Sequence, residues 1–189
     1  MEIAYNGQTY YDIDLAGRVE RLDVAPVTDT LHIASFVLLG DTELTNYCGK
    51  VLGERIKAAD FDYIVCPEAK VLPLAQSICT YLGERDFVVF RKGVKAYMLG
   101  AIATEVKSIT TAATQTMVVD GRDAAKLKGK KVLLLDDVVS TGGTFHAMEE
   151  LLRQIGDVEI AGYAAVLKEG TDFVSDKLYY LADLPLFVG

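Results

Sequence analysis

The sequence predicts an α/β fold of three layers, a parallel sheet flanked by helices, with a small N-terminal hood. Three observations predict it. Val132-Leu133-Leu134-Leu135 is an apolar run with no polar alternation, the pattern of a strand buried on both faces. Tyr63-Ile64-Val65-Cys66 and Phe87-Val88-Val89-Phe90 are two further runs with a helical stretch between them, and strand, helix, strand in that order implies a crossover and parallel pairing. The third observation lies just beyond the central run: Asp136 and Asp137 stand at its C-terminal end, and Ser140-Thr141-Gly142-Gly143-Thr144 then opens a helix. Ligands of α/β sheets bind at that end.

At the N-terminus, Ile3 to Tyr5, Asn6-Gly7 and Thr9 to Ile13 predict a hairpin, because Asn-Gly supplies the positive φ angles of a tight turn between β-prone runs. Ile33 to Leu39 reads as another extended segment. Asp41 is placed to cap a helix in which Leu44, Tyr47, Cys48, Val51, Leu52 and Ile56 fall on one face. Pro67 stops the strand that ends at Cys66. A short helix comes next, with Leu74, Ile78 and Leu82 inward and Gly83 at its end.

From Lys95 to Met117 the periodicity fades, which predicts a mobile loop or a long hairpin, with Gln115 to Val119 as one arm. Arg122 to Leu127 reads as a short turn. Phe145, Met148, Leu151, Leu152 and Ile155 recur at helical spacing after the glycine-rich stretch. Ile160 to Leu167 gives one more strand, and Tyr179 to Leu181 and Leu186 to Val188 end the chain in extended structure. Residues 1–189 read as a single domain, with 1–40 as the hood packed on it.

Composition narrows the function. A net charge of −8 argues against a nucleic-acid surface, which rewards clustered Lys and Arg. No apolar stretch nears membrane-spanning length, and the N-terminus has no basic region before an apolar run. Cys48, Cys66 and Cys79 are odd in number and lack paired spacing, so buried thiols in a reducing cytoplasm are expected. His32 and His146 have no partner acid or metal spacing in the sequence and are expected to be structural or surface residues.

The central stretch offers free backbone N–H groups at a positive helix end, a site for a phosphate. Neither a Walker loop nor a dinucleotide-fold glycine pattern occurs there, while Asp136 and Asp137 are spaced to accept hydrogen bonds from sugar hydroxyls. A buried strand running into an ordinary capped helix would need only one Ser or Thr and one glycine. From Val132 to Thr144 the chain resembles the phosphoribosyl-diphosphate (PRPP) signature of the type I phosphoribosyltransferases. That resemblance implies that Asp136 and Asp137 take the ribose hydroxyls and that Ser140, Thr141, Gly142, Gly143 and Thr144 take the 5′-phosphate.

Pro67-Glu68-Ala69-Lys70 resembles the family's pyrophosphate loop, with Lys70 where adenine phosphoribosyltransferases have Arg, and Arg91-Lys92 matches a basic pair after the next strand. Lys70, Arg91 and Lys92 are therefore the expected pyrophosphate cations. Lys168-Glu169 comes after the last core strand, where related enzymes address the base edge. A Glu could accept from an adenine amino group and a Lys could donate to a 6-oxo group, so the pair leaves that choice open.

The segments around the signature look most like adenine and xanthine phosphoribosyltransferases. Thr104 to Met117 is similar to the lid of the xanthine enzymes and of a PRPP-binding purine repressor, and it departs from the acidic, Tyr-containing lid of adenine enzymes. Glu105 does not match the register of the proton donor proposed there, and Ser140 stands where some relatives have an Asp base.

The resemblance implies transfer of the 5-phosphoribosyl group to a purine, adenine first, in purine salvage, with Mg2+ carried by PRPP and no direct protein ligand to the metal. It also implies a cytoplasmic homodimer whose partners are PRPP and the base, with no nucleic acid and no membrane. Xanthine, guanine or orotate as the base, or a PRPP-binding regulator without turnover, are the alternatives.

Overall fold

The computed structural model describes residues 1–83, 86–107 and 114–189. Four strands come first: β1 (Glu2–Ala4), β2 (Tyr10–Asp14), β3 (Val19–Pro26) and β4 (Leu31–Ala34). Then α1 (Thr42–Ile56), β5 (Tyr63–Pro67), α2 (Leu72–Tyr81) and β6 (Phe87–Phe90) form the first crossover. An antiparallel hairpin, β7 (Ile102–Lys107) and β8 (Thr114–Val119), leads into α3 (Gly121–Leu127). β9 (Lys130–Val139), α4 (Gly143–Ile155) and β10 (Val158–Glu169) come next, and β11 (Leu178–Tyr179), β12 (Ala182–Leu184) and β13 (Leu186–Val188) end the chain.

The central sheet has the order β11-β10-β9-β5-β6, with β12 also on β10, and its pairings are parallel. Alternation along the strands divides the apolar side chains between two layers. Leu133 and Leu135 of β9 pack with Cys48 and Leu52 of α1, Ile78 of α2 and the hood's Leu22 and Phe187. Val132 and Leu134 pack on the other face with Leu127 of α3 and Phe145, Met148 and Leu151 of α4. That is the expected three-layer α/β arrangement.

Local chemistry accounts for the helix ends. Asp41 Oδ1 accepts from the Leu44 N–H at 2.9 Å and caps α1, as its place in the sequence predicts. Asp120 caps α3 in the same way through the Arg122 N–H at 2.9 Å, so the segment expected as a short turn is a capped helix. Gly83 takes the positive φ of +92° after α2.

The N-terminal hairpin is corrected. Gly7 does turn at φ +79°, but β1 does not pair with β2. β1 runs parallel to β13, β2 pairs with β3, and the hood sheet is ordered β1-β13-β4-β3-β2. The Asn-Gly turn fixes only local backbone, whereas the pairing is decided by the far end of the chain, whose β13 lies between β1 and β4. The extended segment at Ile33 to Leu39 is a strand only from Leu31 to Ala34, beyond which Phe36 and Leu38 are buried outside regular structure.

The central strand is longer than its apolar run. β9 continues through Asp136 and Asp137 to Val139, pairing with β10 as far as Val139 opposite Lys168. Among the described residues, no helix is long and apolar enough to cross a membrane. Cys48, Cys66 and Cys79 are buried, and burial pushes the Cys48 thiol up to about 12.

Candidate active site

Parallel register brings three strand ends to one edge of the sheet. Pro67 pairs with Phe90 across β5 and β6, and β5 pairs with β9 on its other side. The segments beyond them enclose a crevice of about 510 Å³ lined by residues that include Glu68, Lys70, Arg91, Lys92, Thr116, Met117, Asp136, Asp137 and Thr144. Six of the residues singled out in the sequence, Lys70, Arg91, Lys92, Asp136, Asp137 and Thr144, therefore share one cavity. Ser140, Thr141, Gly142 and Gly143 continue from β9 at its edge, joining the strand to α4. Lys168 and Glu169 close β10, one strand over, opposite Val139 and beside β12, and they do not line the crevice. The Lys168 ammonium lies 5.9 Å from the centroid of the Tyr180 ring.

The acids are not two equivalent solvent-facing groups, as their reading as strand-end residues suggests. Asp136 is 9% exposed, accepts the Asp137 N–H at 2.9 Å and is hydrogen-bonded by the Thr144 side chain. Burial, and then the neighbouring charge of Asp137, raise its pKa well above the aspartate range. Asp137 is half-buried, and its Oδ1 accepts the Val138 N–H at 3.0 Å.

The helix ends at the crevice differ from those elsewhere. α1 and α3 begin with Asp side chains on their first-turn amides. α4 begins at Gly142, in the left-handed region at φ +79°, with no side-chain cap and no acid in its first turn. α2 begins at Val71, also without a side-chain cap or a first-turn acid. Both uncapped N-termini open on the crevice, one through Thr144 and the other through Val71 and Lys70. The uncapped first-turn N–H groups of α4 attract anions. At the start of α2, by contrast, the Leu72 N–H donates to Ala69 O at 3.3 Å and Pro73 has no N–H, so that end relies on Lys70 for positive charge. Phe173 fixes the first of these ends, since a Cβ at Gly142 would lie 2.3 Å from Phe173 Cδ2. Phe173 is itself held by the rings of Phe145 and Tyr163 at centroid distances of 5.2 and 5.3 Å.

Sequence reasoning missed the organiser of the opposite wall. The Glu68 carboxylate accepts the Lys92 N–H at 2.7 Å, pairs with Arg91 Nε at 2.5 Å and lies 4.0 Å from Lys95 Nζ. The Lys92 N–H first, then the Arg91 and Lys95 charges, hold Glu68 below the usual glutamate range. The Arg91 N–H is not aligned on Glu68, so the contact is an ion pair and Nε is a buried donor without an aligned acceptor. The peptide between Glu68 and Ala69 is cis. The register carried the missed signal: residues just past a cross-strand pair, here Pro67 and Phe90, face each other at the strand ends.

The segment read as a loop or long hairpin is a hairpin anchored to the sheet. Arg91 and Val118 exchange two backbone hydrogen bonds of 2.7 Å, which hangs β8 on the end of β6 and brings Thr116 and Met117 to the crevice. The expected tip of the lid, Ser108-Ile109-Thr110-Thr111-Ala112-Ala113, lies outside the described residues. Glu105 is exposed and stands opposite Thr116 in the hairpin. His146 is exposed, as expected, but it does have an acid partner, Glu149 Oε2 at 3.1 Å from Nδ1. His32 stacks on Tyr5 at 3.6 Å between centroids.

Known proteins share this fold. The chain is 38% identical over 120 residues to the adenine phosphoribosyltransferase of Petrotoga mobilis, a match that spans 63% of this chain and 65% of that enzyme's length. It is 33% identical over 147 residues to the hypoxanthine/guanine phosphoribosyltransferase of Methanothermus fervidus, across 78% of this chain and 70% of the relative. The fold superposes on the crystal structure of adenine phosphoribosyltransferase from Thermoanaerobacter pseudethanolicus with a TM-score of 0.70 and 20% identity, covering 86% of this chain and 95% of that one. Residues 42–183, from the start of α1 to β12, match the model of the phosphoribosyl transferase domain, and the chain belongs to that family.

Proposed function

We propose that this chain transfers the 5-phosphoribosyl group of PRPP to a ring nitrogen of a purine, adenine first, releasing pyrophosphate, as a cytoplasmic salvage enzyme built as one domain with its hood. One observation supports this reading above the others. The uncapped N-terminus of α4 and the cations Lys70, Arg91 and Lys92 meet at the same crevice, and Asp136 and Asp137 line it as well. PRPP has the matching form: a diphosphate at one end, a 5′-phosphate at the other and a ribose diol between them.

In this reading the amides of α4 and the hydroxyls of Ser140, Thr141 and Thr144 would hold the 5′-phosphate. Asp136 and Asp137 would accept hydrogen bonds from the ribose hydroxyls. Lys70, Arg91 and Lys92 would bind the diphosphate and stabilise the charge that grows on it as the anomeric C–O bond breaks. The hairpin of β7 and β8 would cover the anomeric carbon and exclude water. The ring nitrogen that forms the new C–N bond would give up its proton to the departing pyrophosphate, so none of these side chains has to take it. The chain's contribution is therefore electrostatic and positional.

The donors suit a magnesium ion that arrives with its substrate. Asp136 and Asp137 are hard oxygen ligands within reach of a hydrated cation, and among the described residues no cluster of three or more His, Cys, Asp or Glu is placed to hold one. Bound to the diphosphate, magnesium would spread the leaving group's charge.

A 6-oxopurine is the second reading, because the Methanothermus relative is named for such bases. The test is incubation with PRPP, magnesium and one base at a time while pyrophosphate release is monitored. Release with a purine supports transfer. Tight PRPP binding with no release for any base would make the protein a regulator.

A further inference from the structure

We propose that Glu68 is a positioning residue for the pyrophosphate site, touching the cations and not the ligand, and that it sets Arg91 and Lys92 in place before PRPP arrives. The inference rests on the phosphoribosyl-transfer reading. It begins with an apparent contradiction: a glutamate lines the wall where an anion of high charge is to bind. Left unbalanced, its charge would repel the ligand.

The geometry resolves the contradiction. The side chain of Glu68 is 17% exposed, against 32% for Arg91 and 40% for Lys95, so the acid lies deeper than the cations it contacts. The Glu68 N–H donates to Phe90 O at 2.9 Å, which continues the pairing of β5 and β6 one residue past Pro67 and Phe90. The carboxylate is thereby delivered to the start of the neighbouring loop, where it accepts the Lys92 N–H at 2.7 Å and meets Arg91 Nε at 2.5 Å. Two of its contacts are with the Arg91-Lys92 pair that would bind pyrophosphate, and the third is with Lys95 just beyond it.

Arg91 is held twice. Its main chain is bonded in both directions to Val118 at 2.7 Å, and its side chain is met by Glu68. A guanidinium has five N–H donors on a planar fork, and the ion pair with Glu68 engages Nε in no aligned hydrogen bond, so the fork's donors remain for a second anion. A long side chain held beforehand loses less freedom when the ligand binds. Glu68 would thus strengthen pyrophosphate binding despite its charge. If it instead occupied the ligand's place and had to be displaced, its removal would tighten binding, which is the opposite sign.

Calorimetric titrations of the full chain with magnesium pyrophosphate and with adenosine monophosphate, which lacks the diphosphate, separate these cases. The variants are Glu68→Ala, Glu68→Gln, Arg91→Ala and the double change Glu68→Ala with Arg91→Ala, each with a melting curve. Glu68→Ala is expected to weaken pyrophosphate binding about tenfold or more and adenosine monophosphate binding by less than about twofold. Glu68→Gln keeps an acceptor for the Lys92 N–H and should recover part of that loss. In the Arg91→Ala background, Glu68→Ala should cost less than in the parent, because only the Lys92 main chain is left for it to position.

Pyrophosphate binding by Glu68→Ala equal to or tighter than the parent's would overturn the inference, as would equal losses for both ligands. If Glu68→Ala does not fold, the near-isosteric Glu68→Gln decides: a loss selective for pyrophosphate supports positioning, and unchanged binding overturns it. Failure of the parent itself to bind PRPP or pyrophosphate would instead sink the phosphoribosyl-transfer reading on which the inference rests.

Discussion

The backbone N–H of Asp137 donates to Asp136 Oδ1 at 2.9 Å, which ties a buried acid to a half-buried one. Burial first, and then the charge of Asp137, raise the Asp136 pKa. A carboxyl raised by folding keeps its proton in the native state where the unfolded chain has already lost it. Stability therefore falls as pH climbs from the ordinary aspartate value of about 4 through the folded value. Asp136→Asn removes this titration. Its stability relative to the parent should grow from pH 4 to pH 8, to an advantage on the order of 1 kcal/mol or more, while PRPP binding is lost. Urea unfolding at several pH values is the check, and a difference that stays flat or shrinks with pH contradicts the assignment.

The cations should act on one end of the substrate. Lys70→Ala and Arg91→Ala are each expected to weaken PRPP by about 1.5–3 kcal/mol, the worth of a charged hydrogen bond, while a nucleoside monophosphate binds nearly as before. Titration of both ligands measures the difference. Equal losses would place these side chains elsewhere.

Gly142 joins backbone conformation to binding. At φ +79° and with Phe173 against it, an added Cβ has neither a relaxed backbone nor space. Gly142→Ala should cost about 1–3 kcal/mol of stability and weaken ribose 5-phosphate more than pyrophosphate. Chemical unfolding and titration with both ligands test this. A variant as stable as the parent would show that the loop adapts easily.

Amide exchange should report the lid. The segment from Lys95 to Gly100 has no regular structure, and Val94, Tyr97 and Leu99 are exposed, so its local opening should be easy in the free protein. PRPP with magnesium and a non-reacting base analogue should slow exchange there and along β7. Val118, bonded to Arg91, and the strand Val132 to Leu135 should be protected in both states. Fast exchange of residues 95 to 107 that ligands leave unchanged would argue against closure.

How much of this was legible in the sequence depended on whether the deciding contact was local. Val132 to Leu135 announced a buried strand because each residue is apolar, and Asp41 announced a helix start because it caps three residues away. The rest of β9 was hidden because Asp136 and Asp137 break the apolar pattern while keeping strand geometry, as residues kept for a ligand can do. At the N-terminus, the Asn6-Gly7 turn was visible, but the partner of β1 lies at the other end of the chain. The crevice was legible from the PRPP signature and the two basic segments. Glu68 was not, because a glutamate in a loop looks solvated until parallel register sets it against Arg91.

Formation of the product nucleotide tests the central claim most directly. Ring-labelled adenine, PRPP and magnesium are incubated with the parent and with the Asp136→Asn, Asp137→Asn double variant, and the labelled products are separated by chromatography. Label is expected in adenosine monophosphate, matched mole for mole by pyrophosphate with the parent and absent with the variant. No labelled nucleotide from adenine, hypoxanthine, guanine or xanthine, by a parent that binds PRPP, would contradict the transfer of a phosphoribosyl group to a purine.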